Sequence, residues 1–220
     1  MERSYSEIAA RVAEVKGNIE KAAARAGRKP EEITLVGVTK TRTAEEVRSL
    51  LQAGVAEIGE NRVQELMDKA PQLADLPHKT HLIGHLQRNK AKYLPGKIDM
   101  LQSLDDIKTV EALEKAWQAE QKPLDVLIEI NVGGEESKSG VAPGQLDALV
   151  EQVLLSDILR LRGLMTIPPI CKGDKVRRYF EQIYRLFIDI KAKKMDNETI
   201  NILSMGMSSD YEYAILEGAT

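Results

Sequence analysis

The stretch Ile33–Thr39, with the sequence ITLVGVT, is followed at once by Lys40 and decides how the rest of the chain can fold. It is short, apolar and rich in β-branched residues, so it is too brief for a buried helix and typical of a buried strand. The next segment opens with Thr43 and Glu46 at capping-box spacing and ends at Gly54, which predicts a helix. The first predicted unit is therefore a buried strand followed by a helix.

An amphipathic helix is predicted ahead of this strand. Ser4 and Glu7 have capping-box spacing, and Gly27 is a stop signal. The apolar residues between them recur at alternating steps of four and three, and they are Ile8, Val12, Val15, Ile19 and Ala22.

The unit of strand and helix repeats along the chain. Further buried strands are predicted at 56–59, 81–84, 97–103, 123–132, 159–167 and 199–206, with helical segments between them. Several of those segments carry a single apolar face, as in the helix with Val176, Phe180, Ile183 and Phe187. Apolar strands that alternate with single-faced helices indicate a parallel sheet covered by helices.

Two architectures fit this alternation, an open doubly wound sheet and a closed barrel. The chain contains seven such units, and a (β/α)8 TIM-type barrel needs one more strand, so the pattern alone slightly favours the open sheet. The sequence has no Rossmann glycine fingerprint and no P-loop to support that alternative. A length of 220 residues without a linker or an internal repeat predicts a single domain over 1–220.

Composition excludes several classes of function. The net charge of −3 gives no basic field to recruit nucleic acid, so a nucleic-acid partner is not expected. Cys171 is the single cysteine, which rules out an intrachain disulfide and favours the cytoplasm. Charged residues interrupt the N-terminal segment throughout, so neither a signal peptide nor a membrane association is predicted.

Lys40 is the first candidate for chemistry, because ligands collect at the carboxyl ends of strands in parallel α/β folds. A lysine in an apolar barrel mouth would lose hydration, which lowers its pKa and supplies the neutral amine that attacks an aldehyde. A solvated lysine at the end of a strand is the more ordinary interpretation of this position alone.

The second candidate is the segment Leu203–Glu212, LSMGMSSDYE, where the last predicted strand passes into a helix. Ser209 and Glu212 have capping-box spacing, so unpaired backbone N–H groups and the hydroxyls of Ser208 and Ser209 should converge where the helix begins. Such an end attracts phosphate, although ordinary capping is the more common explanation for two serines taken alone. An amine and an anion site together would suit an aldehyde-bearing phosphate ester.

Other strand ends present polar groups that could orient a ligand ring. They include Glu60 and Asn61, His85 and Asn131, for which helix capping or a loop position is the simpler interpretation. His81 and His85 lie four residues apart on a segment predicted as strand and loop, where that spacing does not place them on one face, so no metal site is predicted.

Six stretches of the sequence together resemble the pyridoxal phosphate homeostasis protein family. They are VTKTRTAEEV, EIGENRVQE, HLIGHLQRNK, INVGGEESKSG, RGLMTIPP and LSMGMSSDYEYAILEGAT, and they run from the first predicted strand to the last residue in the family's order. The resemblance implies a barrel like the alanine racemase domain of fold-type III, with an additional N-terminal helix. Family members continue into a final strand, so that strand is expected to be missing from this chain.

The resemblance also implies the cofactor and its site. The cofactor is pyridoxal 5′-phosphate, and Lys40 matches the lysine that forms the internal aldimine, a Schiff base. Ser208 and Ser209, with the backbone near Gly206, are implied to hold the phosphate. The remaining residues implied to line the pocket are Asn61, His85 and Ser204.

Three functions are compatible with these residues. The preferred one, from the resemblance, is a monomeric, non-enzymatic protein that stores, protects or delivers pyridoxal phosphate, with pyridoxal phosphate-dependent apo-enzymes as recipients. The alternative is a fold-type III enzyme, an amino-acid racemase or decarboxylase, which needs a further acid or base placed against the cofactor ring. A class I aldolase barrel needs no cofactor, and nothing in the motifs favours it.

Overall fold

The structure, a computed structural model, describes residues 3–135, 138–171, 173–193 and 199–220. Its strands are β1 Val36–Val38, β2 Glu57–Glu60, β3 Lys79–Leu82, β4 Met100–Leu104, β5 Leu124–Glu129, β6 Leu159–Met165 and β7 Ile202–Ser204. Its α-helices are α1 Tyr5–Arg25, α2 Ala44–Gln52, α3 Val63–Leu73, α4 Ile107–Trp117, α5 Leu146–Leu154, α6 Asp174–Lys193 and α7 Tyr211–Leu216. Each predicted strand is present, although β3 begins two residues before the predicted 81–84.

The strands form one parallel sheet in which each strand pairs with the next along the chain, from β1 to β7. This sequential order excludes the doubly wound alternative, because strand order reverses in that fold. The sheet curls into a half-barrel with the helices on its outer face, which confirms the barrel prediction. Among the described residues, β1 and β7 each have a strand neighbour on one side only.

Local capping defines the first two helices as the sequence predicted. Ser4 caps α1 by accepting a hydrogen bond from the Glu7 backbone, and the Glu7 carboxylate accepts the Ser4 N–H at 2.8 Å. Thr43 and Glu46 form the same reciprocal pair at the start of α2. Both boxes satisfy N–H groups that a helix cannot pair internally.

Two apolar layers lie on opposite faces of the sheet, because successive strand residues point to opposite sides. The outer layer packs strands against helices and includes Leu82, Leu101, Ile128, Leu164 and Leu203. The inner layer is smaller, and Met100, Leu127, Met165 and Ile202 pack together there. The inner face therefore has room for polar side chains above and below this apolar layer.

The N-terminal helix α1 packs against α7. Ile19 and Ala22 contact Ile215 in a small apolar cluster, and Asn18 Nδ2 donates to Tyr211 Oη at 3.2 Å. This contact fixes the helix that follows β7, which is where the second candidate segment lies.

Candidate functional site

Lys40 lies two residues after the end of β1 and begins a tight turn. Thr41 adopts a φ of +61°, which is uncommon for a residue with a side chain, so the turn is specifically held. In the part of the chain that the structure describes, no group pairs with the Lys40 amine. The expected dehydration of that amine is wrong, because Lys40 is exposed and neighbouring Val38 on the edge strand is 40% exposed.

A buried ion pair holds the backbone of this turn from behind. Lys69 Nζ, on α3, donates to the Thr39 carbonyl at 2.7 Å and to Glu60 Oε1 at 2.7 Å. Thr39 Oγ1 also donates to Glu60 Oε1, at 2.6 Å. Beyond Lys40, the Thr41 N–H donates to Glu65 Oε2 at 2.8 Å and is the main cause of the lowered pKa of Glu65. Glu60 therefore faces α3 and does not point toward a ligand.

The loop after β7 has an unusual backbone that only glycine fits. Gly206 has a φ of +93°, and a Cβ there would lie 2.8 Å from Tyr211 Cα and 2.7 Å from Ala214 Cβ. The predicted capping box of Ser209 is wrong, since Asp210 is the residue before α7 and its Oδ1 accepts the Met207 N–H at 2.6 Å. The shorter helix leaves the serines in the loop.

Ser208 and Ser209 are exposed, and their backbone N–H groups have no acceptor among the described residues. Unpaired N–H groups next to two hydroxyls can donate to an anion. Because all strands are parallel, this loop and Lys40 lie at the same end of the sheet.

One cavity of about 2000 Å³ runs along the inner face of the half-barrel. The predicted site residues that line it are Lys40, Asn61, Ser204, Gly206, Ser208 and Ser209. His85 is not among the lining residues; it is exposed, and its Nδ1 lies 3.1 Å from Asp105 Oδ2. The structure thus brings together the predicted residues at the ends of β1, β2 and β7. It leaves out His85, which follows β3.

Asn61 presents an unsatisfied polar atom at this cavity. Its Oδ1 is buried without a hydrogen-bond partner among the described residues. The loop after β3 packs tightly over it, since a Cβ on Gly84 would lie 2.3 Å from the Asn61 carbonyl oxygen. A buried acceptor without a partner is costly, and because this oxygen is buried, a ligand donor could pair with it only if the side chain moved.

A chain of polar side chains crosses the inner face and was not predicted. Glu57 Oε2 lies 3.1 Å from His81 Nε2, His81 Nδ1 lies 2.7 Å from Gln102 Nε2, and Ser204 Oγ donates to Gln102 Oε1 at 2.7 Å. The first contact has ion-pair distance without hydrogen-bond alignment. Contact with His81 lowers the pKa of Glu57 to about 2 against the effect of burial, and Lys79 adds to the lowering.

Glu129, at the end of β5, is a second ionisable group that the sequence did not reveal. Burial raises its pKa to about 7, the Asp105 carboxylate adds to the rise, and His85 opposes it. Among all the residues that the structure describes, no cluster of three or more His, Cys, Asp or Glu side chains could hold a metal ion. Asn131 Nδ2 donates to the Glu135 carbonyl at 2.8 Å, which is the ordinary loop role.

No helix within the described ranges is both long and apolar enough to cross a membrane.

Residues 11–218 match the family described as "Alanine racemase, N-terminal domain". The chain is 42% identical over 211 residues to the pyridoxal phosphate homeostasis protein of Aquifex aeolicus (strain VF5), covering 96% of this chain and 92% of that protein.

Two solved structures share the architecture. PipY of Synechococcus elongatus PCC7942, solved with PLP bound, is 30% identical with a TM-score of 0.79, over 92% of this chain and 95% of that chain. Alanine racemase of Clostridium difficile 630 is 14% identical with a TM-score of 0.67, over 88% of this chain and 50% of that chain, and shows the fold alone.

Proposed function

This chain belongs to the pyridoxal phosphate homeostasis protein family, and we propose that it binds pyridoxal 5′-phosphate through Lys40 and serves in storage, protection or delivery of that cofactor. The bound cofactor supplies an aldehyde that reacts with amines and a phosphate that accepts hydrogen bonds. The relative from Synechococcus elongatus was solved with PLP bound, which supports this choice of ligand.

The proposal depends on one observation. A lysine amine without a partner and backbone N–H groups without acceptors, among the described residues, lie at the same end of the sheet. Lys40 Nζ has no partner in the described ranges, whereas Lys69 and Lys79 are tied to carboxylates. An unpaired lysine amine is available to condense with an aldehyde. The N–H groups of Ser208 and Ser209 are equally free to receive a phosphate.

The other lining residues complete the site. Gly206 lets the loop turn close to α7, because a Cβ there would collide with Tyr211 and Ala214. Asn61 and Ser204 face the same cavity and can hydrogen-bond the ring substituents. We leave His85 outside the binding set, because its imidazole contacts Asp105 outside the lining of the cavity.

A carrier role fits this site better than turnover. Racemisation or decarboxylation needs an acid or base held in position against the cofactor. Tyr211 lines the cavity, but its hydroxyl is engaged by Asn18 of α1. We therefore propose a non-enzymatic, monomeric role in the cytoplasm, with apo-enzymes that require pyridoxal phosphate as recipients. Sustained turnover of any amino acid at about one per second or faster would replace this role with an enzymatic one.

Borohydride labelling tests the covalent anchor. Protein incubated with pyridoxal phosphate and reduced should carry one stable adduct on the peptide containing Lys40, identified by mass spectrometry. Lys40→Arg keeps the charge but cannot form the adduct, so it should lose the label and the visible absorbance band. Lys92→Arg is the matched control and should label like the parent protein. Persistent specific labelling of Lys40→Arg would refute the anchor.

Comparison of pyridoxal with pyridoxal phosphate tests the phosphate site separately. Two or more charge-assisted hydrogen bonds from the Ser208 region should make the phosphorylated form bind about a hundredfold more tightly. Equal affinities for the two compounds would exclude the loop after β7 as an anion site while leaving the Lys40 assignment intact.

A further inference from the structure

The polar chain on the inner face has a defined hydrogen-bond direction. Glu57 is ionised and can only accept, so the proton of a neutral His81 is assigned to Nε2, which lies 3.1 Å from the carboxylate although it is not aligned for a hydrogen bond. His81 Nδ1 then accepts from Gln102 Nε2, which leaves Gln102 Oε1 to accept the Ser204 hydroxyl proton. Ser204 has spent its one donor on Gln102 and offers only lone pairs to the cavity.

Protonation of His81 would reverse this direction. An imidazolium donates from both nitrogens, so Gln102 must present its oxygen to His81 Nδ1 and its amide nitrogen to Ser204. Gln102 then donates to Ser204 Oγ, and the serine proton is free to point into the cavity. A single proton in the half-barrel thus changes the hydrogen-bonding character of a residue on another strand.

We propose that His81 is a positioning residue whose protonation, transmitted through Gln102, changes Ser204 from an acceptor to a donor and tightens the hold of the cavity on an anionic oxygen of the cofactor. This inference rests on the proposed function for the identity of its ligand. The hydrogen bonds from His81 through Gln102 to Ser204 belong to the protein itself, so they can be measured without a ligand. His81 is 3% exposed, so bulk water does not compete for its ring nitrogens.

The charged groups around His81 are few and lie toward one end. Glu57 faces it from β2, and Lys79 of β3 pairs with the other oxygen of that carboxylate at 2.9 Å. On the other side β4 contributes the neutral Gln102, and β7 contributes the neutral Ser204 beyond it. Further charged residues line the same cavity near the strand starts, and they are Lys97, Asp99, Glu120, Lys122, Asp125, Arg160 and Arg162.

Nitrogen-15 NMR of the imidazole rings tests the chain without cofactor. We expect the neutral His81 ring to carry its proton on Nε2, and acid titration to add the second proton on Nδ1. His81→Asn assigns the signal, and Gln102→Met, which removes the link without adding charge, should perturb the Nδ1 shift. A neutral ring protonated on Nδ1 would overturn the inference.

Affinity for pyridoxal phosphate measured against pH tests the consequence. The ligand itself titrates with both proteins, so the informative quantity is the affinity of the parent divided by that of Gln102→Met at each pH. In the parent protein, Ser204 should change from an acceptor to a donor toward the cofactor oxygen as the pH is lowered. The affinity ratio should therefore be about tenfold higher at about pH 5 than at about pH 8. The affinity of Ser204→Ala divided by that of Gln102→Met should stay constant over the same pH range.

The outcomes separate this inference from the proposed function. A constant ratio, with tight binding in both proteins, would overturn the chain and leave the cofactor assignment standing. Failure of the parent to bind pyridoxal phosphate at all would refute the proposed function, and the inference with it, whatever proton positions NMR reports for His81.

Discussion

Replacing Glu129 with Gln should stabilise the protein at alkaline pH and have almost no effect in acid. Glu129 is 7% exposed at the end of β5, and its pKa is raised to about 7, chiefly by burial and secondarily by Asp105. An ionised carboxylate is therefore disfavoured in the folded state, whereas the unfolded chain lets it ionise freely. Glutamine has the shape of the protonated acid and never ionises.

The size of the effect follows from the two pKa values. A rise from 4.5 to about 7 corresponds to about 3 kcal/mol of unfolding free energy. The folded protein binds more protons than the unfolded chain between these values, so its stability falls as pH rises through this window. The penalty is absent below about pH 4.5 and complete above about pH 7. Glu129→Gln should therefore gain about 3 kcal/mol at pH 8 and about nothing at pH 4.

Urea denaturation at these two pH values measures the difference. Glu57→Gln is the matched control, because the pKa of Glu57 is lowered to about 2 and its ionised form stabilises the fold. That variant should lose stability at pH 8, the opposite sign for the same substitution. If Glu129→Gln changed stability equally at both pH values, or not at all at pH 8, the electrostatic reasoning would be refuted.

Two further predictions concern the supports of the site. Lys69→Met should destabilise the protein by about 3 to 5 kcal/mol in urea denaturation, because it leaves the buried Glu60 carboxylate without its ion-pair partner. Adding Glu60→Gln to that variant should restore part of the loss; no restoration would argue against the ion pair as the cause. Gly206→Ala should lower the free energy of unfolding by about 2 kcal/mol and weaken pyridoxal phosphate uptake, because a Cβ there would lie 2.8 Å from Tyr211 Cα. Unchanged uptake in a measurably destabilised Gly206→Ala variant would contradict the role of this loop in binding.

The fold could be predicted largely because its signals are local. Capping pairs such as Thr43 with Glu46 and short β-branched runs such as Ile33–Thr39 fix elements within a few residues of themselves. No local signal decides between the two sheet topologies, because the topology depends on which strands pair after each intervening helix. Periodicity left that choice open, and the family resemblance was needed to predict the barrel.

Site residues at strand ends were predictable by position, but their directions were not. Lys40, Asn61 and Ser208 line one cavity because the carboxyl ends of parallel strands meet at the same end of the sheet. Glu60 shares that position and yet points to Lys69, since successive strand residues face opposite sides. A strict alternation count along β2 would have separated Glu60 from inward-facing Glu57.

The polar residues inside the half-barrel were missed for a different reason. His81 and Gln102 are single polar residues within apolar strands, and each alone predicts nothing about the other. They meet only because β3 pairs with β4, and Ser204 joins them from β7 across the curled sheet. The sequence does not show which residues the curvature of the sheet brings into contact. These polar contacts therefore became visible only in the structure.

The way Lys40 is held favours capture and release over turnover. Its backbone is fixed on both sides, by Lys69 at the Thr39 carbonyl and by Glu65 at the Thr41 N–H, while its amine contacts no partner in the described residues. Catalysis on a bound substrate requires the reacting groups to be held within a fraction of an ångström. A fixed backbone with a free, exposed amine instead suits the proposed capture of an aldehyde and its later displacement by water or an amine. These two hydrogen bonds explain how the Lys40 amine can be exposed while the backbone around it is held in place.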